Sequence, residues 1–258
     1  MHLWGYIVGV RLFGVLLLVV GSLCAQTDRV GLDEGFDKPL KKTVVDLGPS
    51  PYYRPTQHVR KKLTCYYYST FTVKQYDEGQ KGAEWLSIVP LAHAGCKRAH
   101  SVGENLLTWG EWSGYFRGAK NRYAVFTAPD GEDGGLPFAV FDVGTGRKLF
   151  EDSSLLDYAR EKLQIKNAFR IASGADQITW LTYLRVVRAG CNLKTGQADC
   201  WKKIRAAFHI TQTDIPVCSR YEQAADWESA IVYPVSVLLT DSPQIKAVDD
   251  PVFCWPID

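Results

Sequence analysis

The chain has 258 residues, with 30 Lys+Arg against 28 Asp+Glu and a formal charge of +2. That balance excludes a nucleic-acid binder working through bulk charge, because releasing counterions from phosphates needs a strongly basic face. Hydrophobic residues make up 46% and charged ones 22%, which excludes a disordered chain and is enough for a full core.

Residues 1–25 read as a secretory signal. Arg11 precedes the apolar run Leu12 to Val20, and small residues Gly21, Ser22 and Ala25 follow. Leu23 fits poorly at the minus-three position of a cut after Ala25, so the cleavage bond lies somewhere between Ser22 and Gln26. An uncleaved anchor is the competitor, weakened by a charge in its middle. After removal no run is long enough to span a membrane. The expected address is the periplasm or the outside of the cell.

Residues 26–59 read as an extended lead-in, with Pro39, Pro49, Pro51 and Pro55 breaking it and one short strand expected near Thr43 to Leu47. From residue 60 onward the chain reads as a disulfide-stapled β-rich domain. Leu63, Cys65, Tyr67, Phe71 and Val73 alternate with polar positions, which predicts one half-buried strand. Further strands are expected over Trp85 to Val89, Tyr123 to Ala128, Pro137 to Val143 and Arg147 to Phe150, the last two joined by a turn at Asp142 to Gly146. A longer hairpin is expected from Leu163 to Ala172 and Gln177 to Val187. Ile231 to Leu239 follows, placed at an edge or bulge by Pro234. Helix is expected over Cys200 to Phe208 with Asp199 as N-cap, and Ser154 to Leu163 is a second candidate. The fold class is therefore mainly β, an antiparallel sandwich or barrel with one or two short helices. Asp142-Val143-Gly144-Thr145-Gly146 and Asn192-Leu193-Lys194-Thr195-Gly196 share a pattern, and a small propeller is the alternative architecture.

Beyond Cys24 six cysteines remain: Cys65, Cys96, Cys191, Cys200, Cys218 and Cys254. An even number in an exported chain predicts three disulfides, and we expect neighbours to pair. Closing the first loop contributes on the order of 3 kcal/mol.

Catalytic motifs are missing. The sequence contains no HExxH, GxSxG, Walker loop or GxGxxG. His93 and His100 flank Cys96 in one short segment, where acid–base work competes with a plain polar loop tied by a disulfide. Asp130, Glu132 and Asp133 at a Gly-rich hairpin tip are the candidate calcium ligands, although a tight turn asks for the same residues. No other cofactor is expected. Trp109, Trp112 and Tyr115 recur at intervals of three around Glu111, making a candidate ligand platform in which Glu111 accepts hydrogen bonds. Packing of those rings into the core is the competing reading. These features together predict a binding or interaction module for an unidentified carbohydrate or protein partner. The alternative is a hydrolase of envelope or extracellular polymers using His93, His100, Asp130 or Glu111.

Overall fold

In a computed structural model of the protein, the described residues are 34–107, 112–155, 168–218, 226–249 and 251–257. The expected signal at 1–25, Trp109, Glu111 and most of the candidate helix at 154–163 lie outside them. The described chain is mainly β, with two antiparallel sheets arranged like a sandwich, a single α-helix and no closed barrel.

The smaller sheet runs in chain order through β1 (Lys41–Pro49), β2 (Arg60–Tyr67), β3 (Thr72–Asp77), β4 (Trp85–Val89) and β5 (Asn105–Leu107). The stretch expected as a lead-in supplies β1, which pairs along β2 from Lys41↔Tyr67 to Asp46↔Lys62. The single strand expected around Leu63 to Val73 is instead a hairpin. Tyr68 donates its N–H to the Phe71 carbonyl at 2.9 Å, and the two rings stack at 4.5 Å. An aromatic clasp there does the work usually assigned to Gly or Asn, so turn chemistry gave no warning.

The larger, nine-stranded sheet comprises β6 (Tyr115–Lys120), β7 (Tyr123–Thr127), β8 (Gly135–Asp142), β9 (Lys148–Leu155), β10 (Phe169–Ser173), β11 (Thr179–Arg188), β12 (Glu228–Leu238), β13 (Gln244–Ala247) and β14 (Phe253–Ile257). Its spine is β13-β12-β11-β9-β8-β7-β6, with β10 on β11 and β14 on β12. Pro234 sits inside β12, not at an edge. Its carbonyl accepts from Val248 N at 3.0 Å, so its ring nitrogen faces the same side. There β14 covers residues up to Val232 and β13 starts at Val235, so the missing N–H falls in the gap between partners.

Two main cores follow from the alternation of these strands. Ala119, Phe126, Ala139 and Phe141 meet Val73, Leu86, Ile88 and Leu107 between the sheets. On the other face of the large sheet, Val125, Phe138, Ile171, Leu181, Tyr183 and Val237 pack with the helix. That helix, α1 (Gln197–Phe208), buries Cys200, Trp201 and Ile204, while Phe208 is half-buried. Gly196, not Asp199, is the N-cap; Asp199 lies in the first turn, where a carboxylate suits the helix dipole. Residues 34–37 bridge β10 and β6. Ile171 N donates to the Glu34 carbonyl at 2.7 Å and Asp37 N to the Ala119 carbonyl at 2.8 Å.

The propeller alternative is excluded by the two sheets. The two similar segments share only an Asx turn: Thr145 N donates to Asp142 Oδ1 at 2.8 Å, and Thr195 N to Asn192 Oδ1 at 3.0 Å. The first joins β8 to β9 and the second leads into α1. Disulfides join Cys65–Cys96, Cys191–Cys200 and Cys218–Cys254, the neighbour pairing expected from the sequence. Among the described residues no helix is long and apolar enough to cross a membrane.

Candidate functional site

The residues singled out by the sequence fall in three places. Trp112 and Tyr115 pack against the inter-sheet core and are half-buried. The Tyr115 hydroxyl receives Gly82 N–H at 2.8 Å and donates to the Gln80 carbonyl at 3.3 Å, pinning that loop. The Trp112 indole nitrogen is buried with no acceptor among the described residues. Their companions Trp109 and Glu111 are outside the description.

The three carboxylates of the hairpin tip turn to different partners. Asp130 bonds the Lys81 ammonium, which holds its carboxyl below the usual range. Asp133 pairs with Arg188 at 2.6 Å, and its carbonyl accepts the Trp255 indole N–H at 3.1 Å. Glu132 is exposed, and its carbonyl accepts Gly135 N–H at 2.7 Å to close the turn. Among the described residues no three His, Cys, Asp or Glu side chains gather as a metal-holding group.

His93 and His100 are both exposed, and His100 touches the edge of a buried network that the sequence did not reveal. Lys74 and Glu104 face each other at 2.8 Å with side-chain exposures of 0% and 1%. Their site is the outer face of the small sheet, under the loop that Cys96 ties to Cys65. Ser87 Oγ donates to Glu104 Oε1 at 2.5 Å, Ser101 N to Oε2 at 2.6 Å, and Lys74 also donates to the Ala99 carbonyl at 3.3 Å. His100 Nδ1 lies 3.2 Å from Glu104 Oε1. Burial pushes the Glu104 carboxyl up, but Lys74, Ser87, Ser101 and His100 outweigh it and hold it at about 2. Ser87 is fully buried and bonded to the carboxylate, not to the imidazole, so this set has no base poised on a nucleophile. It secures the loop.

A second inner network, Tyr183–Asp152–Arg185–Tyr233, lies beside α1. Asp152 accepts from Tyr183 and from Arg185 Nε at 3.0 Å, and Arg185 Nη1 donates to the Tyr233 hydroxyl at 3.0 Å. Burial and the Asp152 charge push the Tyr183 hydroxyl far up. Every member has a partner, and this network too is structural.

Open chemistry lies elsewhere, at the end of the molecule bearing the β10–β11 and β12–β13 turns. On β11, Leu181 and Tyr183 are buried while Trp180 and Thr182 point outward. Register places Ala172, Trp180, Leu238 and Gln244 in one row across β10, β11, β12 and β13, with Arg170, Thr182, Ser236 and Lys246 in the next. Trp180, Ser236, Leu238, Thr240, Ser242, Gln244 and Lys246 line a shallow groove of about 490 Å³. Trp180 is 37% exposed and Leu238 41%. A Cβ on Gly174 would come within 3.0 Å of the Trp180 ring, so the glycine lets the indole lie against the β10–β11 turn.

Around the end of the sheet lies a second depression of about 430 Å³. Asp37 and Lys38, the Tyr68–Phe71 clasp, Asn121–Tyr123 and Gln177 all contribute to it. Its walls are pinned. Asp37 accepts from Lys120 Nζ at 2.6 Å and Asn121 N at 2.8 Å, and Asn121 Nδ2 donates to Ser173 Oγ at 2.8 Å. Ser69 and Thr70 stand exposed at its mouth.

No protein-family model matches the chain, and neither curated proteins nor solved structures provide a match. The chemistry of the two depressions is therefore read from their residues alone.

Proposed function

We propose that this is an exported, disulfide-stabilised binding module whose ligand is a carbohydrate held on the Trp180 face. One observation carries the reading: a partly exposed indole lines a groove on the outward face of the sheet together with Ser236, Thr240, Ser242 and Gln244. A pyranose ring presents C–H groups on its faces and hydroxyls around its edge. An aromatic face with hydroxyl and amide neighbours matches that pattern, the ring supplying apolar contact and the rim supplying donors and acceptors. The sheet beneath it is rigid, since Leu181 and Val237 anchor the opposite face in the core, and a preformed surface loses little entropy on binding.

Export is supported by the Arg11-plus-apolar leader and by three disulfides, which persist in oxidising compartments. The absence of catalytic motifs is consistent with binding without turnover, and neither buried network places a base on a nucleophile. The test is a fluorescence titration with soluble β-glucan, xylan, mannan and chitin oligosaccharides. We expect at least one to shift or quench the emission of the natural chain and to leave a Trp180→Phe variant unchanged. Emission indifferent to all four would refute carbohydrate binding at this face.

A further inference from the structure

We infer that the groove and the end cleft are two subsites of one extended site, which takes a neutral oligosaccharide chain in preference to a single sugar. This deepens the proposed function and rests on it. The two depressions share a ridge made of two turns. In the first turn, Gln177 lines the cleft while the glycine at its start, Gly174, supports the Trp180 ring of the groove. Gln177 and Trp180 are three residues apart, a span of about 10 Å when extended. In the second turn, Thr240 and Ser242 line the groove, while Asp241 between them reaches back to Arg122 of the cleft at 3.4 Å.

The ridge is stiff. Leu239 N donates to the Thr179 carbonyl at 2.9 Å, and Thr179 Oγ1 lies 2.9 Å from Ser173 Oγ. Arg147 Nη2 adds a bond to the Asp241 carbonyl at 3.4 Å. Both depressions are therefore fixed relative to the same short strand ends, and a ligand crossing from one to the other meets a preformed path.

Length and neutrality follow from the lining. The groove is shallow and offers one aromatic ring, enough for one flat unit. The cleft adds exposed hydroxyls at Ser69 and Thr70 and an amide at Gln177. The lining carries Lys38, Arg122 and Lys246 against Asp37, and Arg122 is paired with Asp142 and Asp241 from outside it, so no strong field of one sign selects a charged polymer.

Isothermal titration with β-1,4-linked disaccharides and hexasaccharides of glucose, xylose, mannose and N-acetylglucosamine tests this. For the sugar that binds, the hexasaccharide should bind about tenfold or more tightly than the disaccharide, with little dependence on salt. The cleft variant Thr70→Ala/Gln177→Gly should bring the hexasaccharide down to the disaccharide's affinity and leave the disaccharide unaffected. Trp180→Ala should abolish both. Near-ultraviolet circular dichroism verifies that each variant is folded, and Trp180→Phe serves as a milder groove variant. Equal affinities for the two lengths, or a cleft variant without effect, would overturn the two-subsite inference while leaving the Trp180 site standing. No binding of any hexasaccharide to the natural chain would overturn the carbohydrate reading itself.

Discussion

The outer face of the small sheet and the Trp180 end of the large sheet use polar residues in opposite ways. Under the Cys65–Cys96 loop, the Lys74 ammonium, the Ser87 hydroxyl and the Glu104 carboxylate are sealed from water and bond to one another, with the Ser101 N–H added. At the Trp180 end, hydroxyls, amides and an indole of similar chemistry face solvent on a rigid support. The first arrangement holds a loop; the second leaves hydrogen-bonding capacity at the surface. Titratable residues clustered in space are thus a poor guide to function unless something else can reach them.

Breaking the sealed network should have the largest effect. Glu104→Gln leaves the Lys74 ammonium buried without its counter-charge, and we expect a loss of about 3–5 kcal/mol in chemical denaturation. Replacing both partners by apolar residues, as in Lys74→Met/Glu104→Leu, should recover much of that loss. A double variant as unstable as the single one would show that the pair itself, not the unpaired charge, matters.

Acid should reach the same network. The Glu104 carboxyl has an ordinary value of 4.5 and is held at about 2 in the folded chain. A depressed carboxylate contributes stability above its unfolded value and loses it as pH falls through the folded one. The melting temperature should therefore fall between about pH 4.5 and pH 2, and this carboxylate's share of the fall should vanish in the apolar double variant. An identical acid limb in both proteins would remove Glu104 from the explanation.

At the open end the expected cost is small. Trp180→Ala should change stability by about 1 kcal/mol or less, because the ring is partly exposed and the core lies on the opposite face. A large loss would place Trp180 among the structural residues and sharpen the comparison against us. Smallest of all is calcium at the tip carrying Asp130, Glu132 and Asp133. Lys81 and Arg188 already neutralise two of the carboxylates, so equal melting temperatures in calcium and in chelator are expected. A calcium-dependent rise would restore the metal site read from the sequence.

Much of the fold was legible in local patterns. Alternation and turn residues marked β7, β8 and β9 and the β10–β11 hairpin, and the even cysteine number pointed to the staples. The misses have physical causes. β5 and β13 are too short for a period to register, and β14 carries Pro256. β6 is obscured because Tyr115 reads equally well as part of a ligand platform and Gly118 weakens a strand signal. Yet Gly118 is where the Phe36 ring packs, at 2.5 Å from where a Cβ would stand. The site was less legible. Trp180 lies on an expected strand, but the Trp180-Leu181-Thr182-Tyr183 alternation has a large apolar or aromatic ring on both faces, and sequence alone does not say which is covered. Its neighbours Ser236 and Gln244 reach it only through the register of strands more than fifty residues away.

The most direct test of the account is a nitrogen–proton NMR titration with the hexasaccharide that binds. We predict shifts at the Trp180 indole N–H and the amides of Ser236 and Gln244, and none at Ser87 or Ser101. Shifts confined to the Ser87–Glu104 region would move the binding site to the sealed outer face of the small sheet and contradict the account.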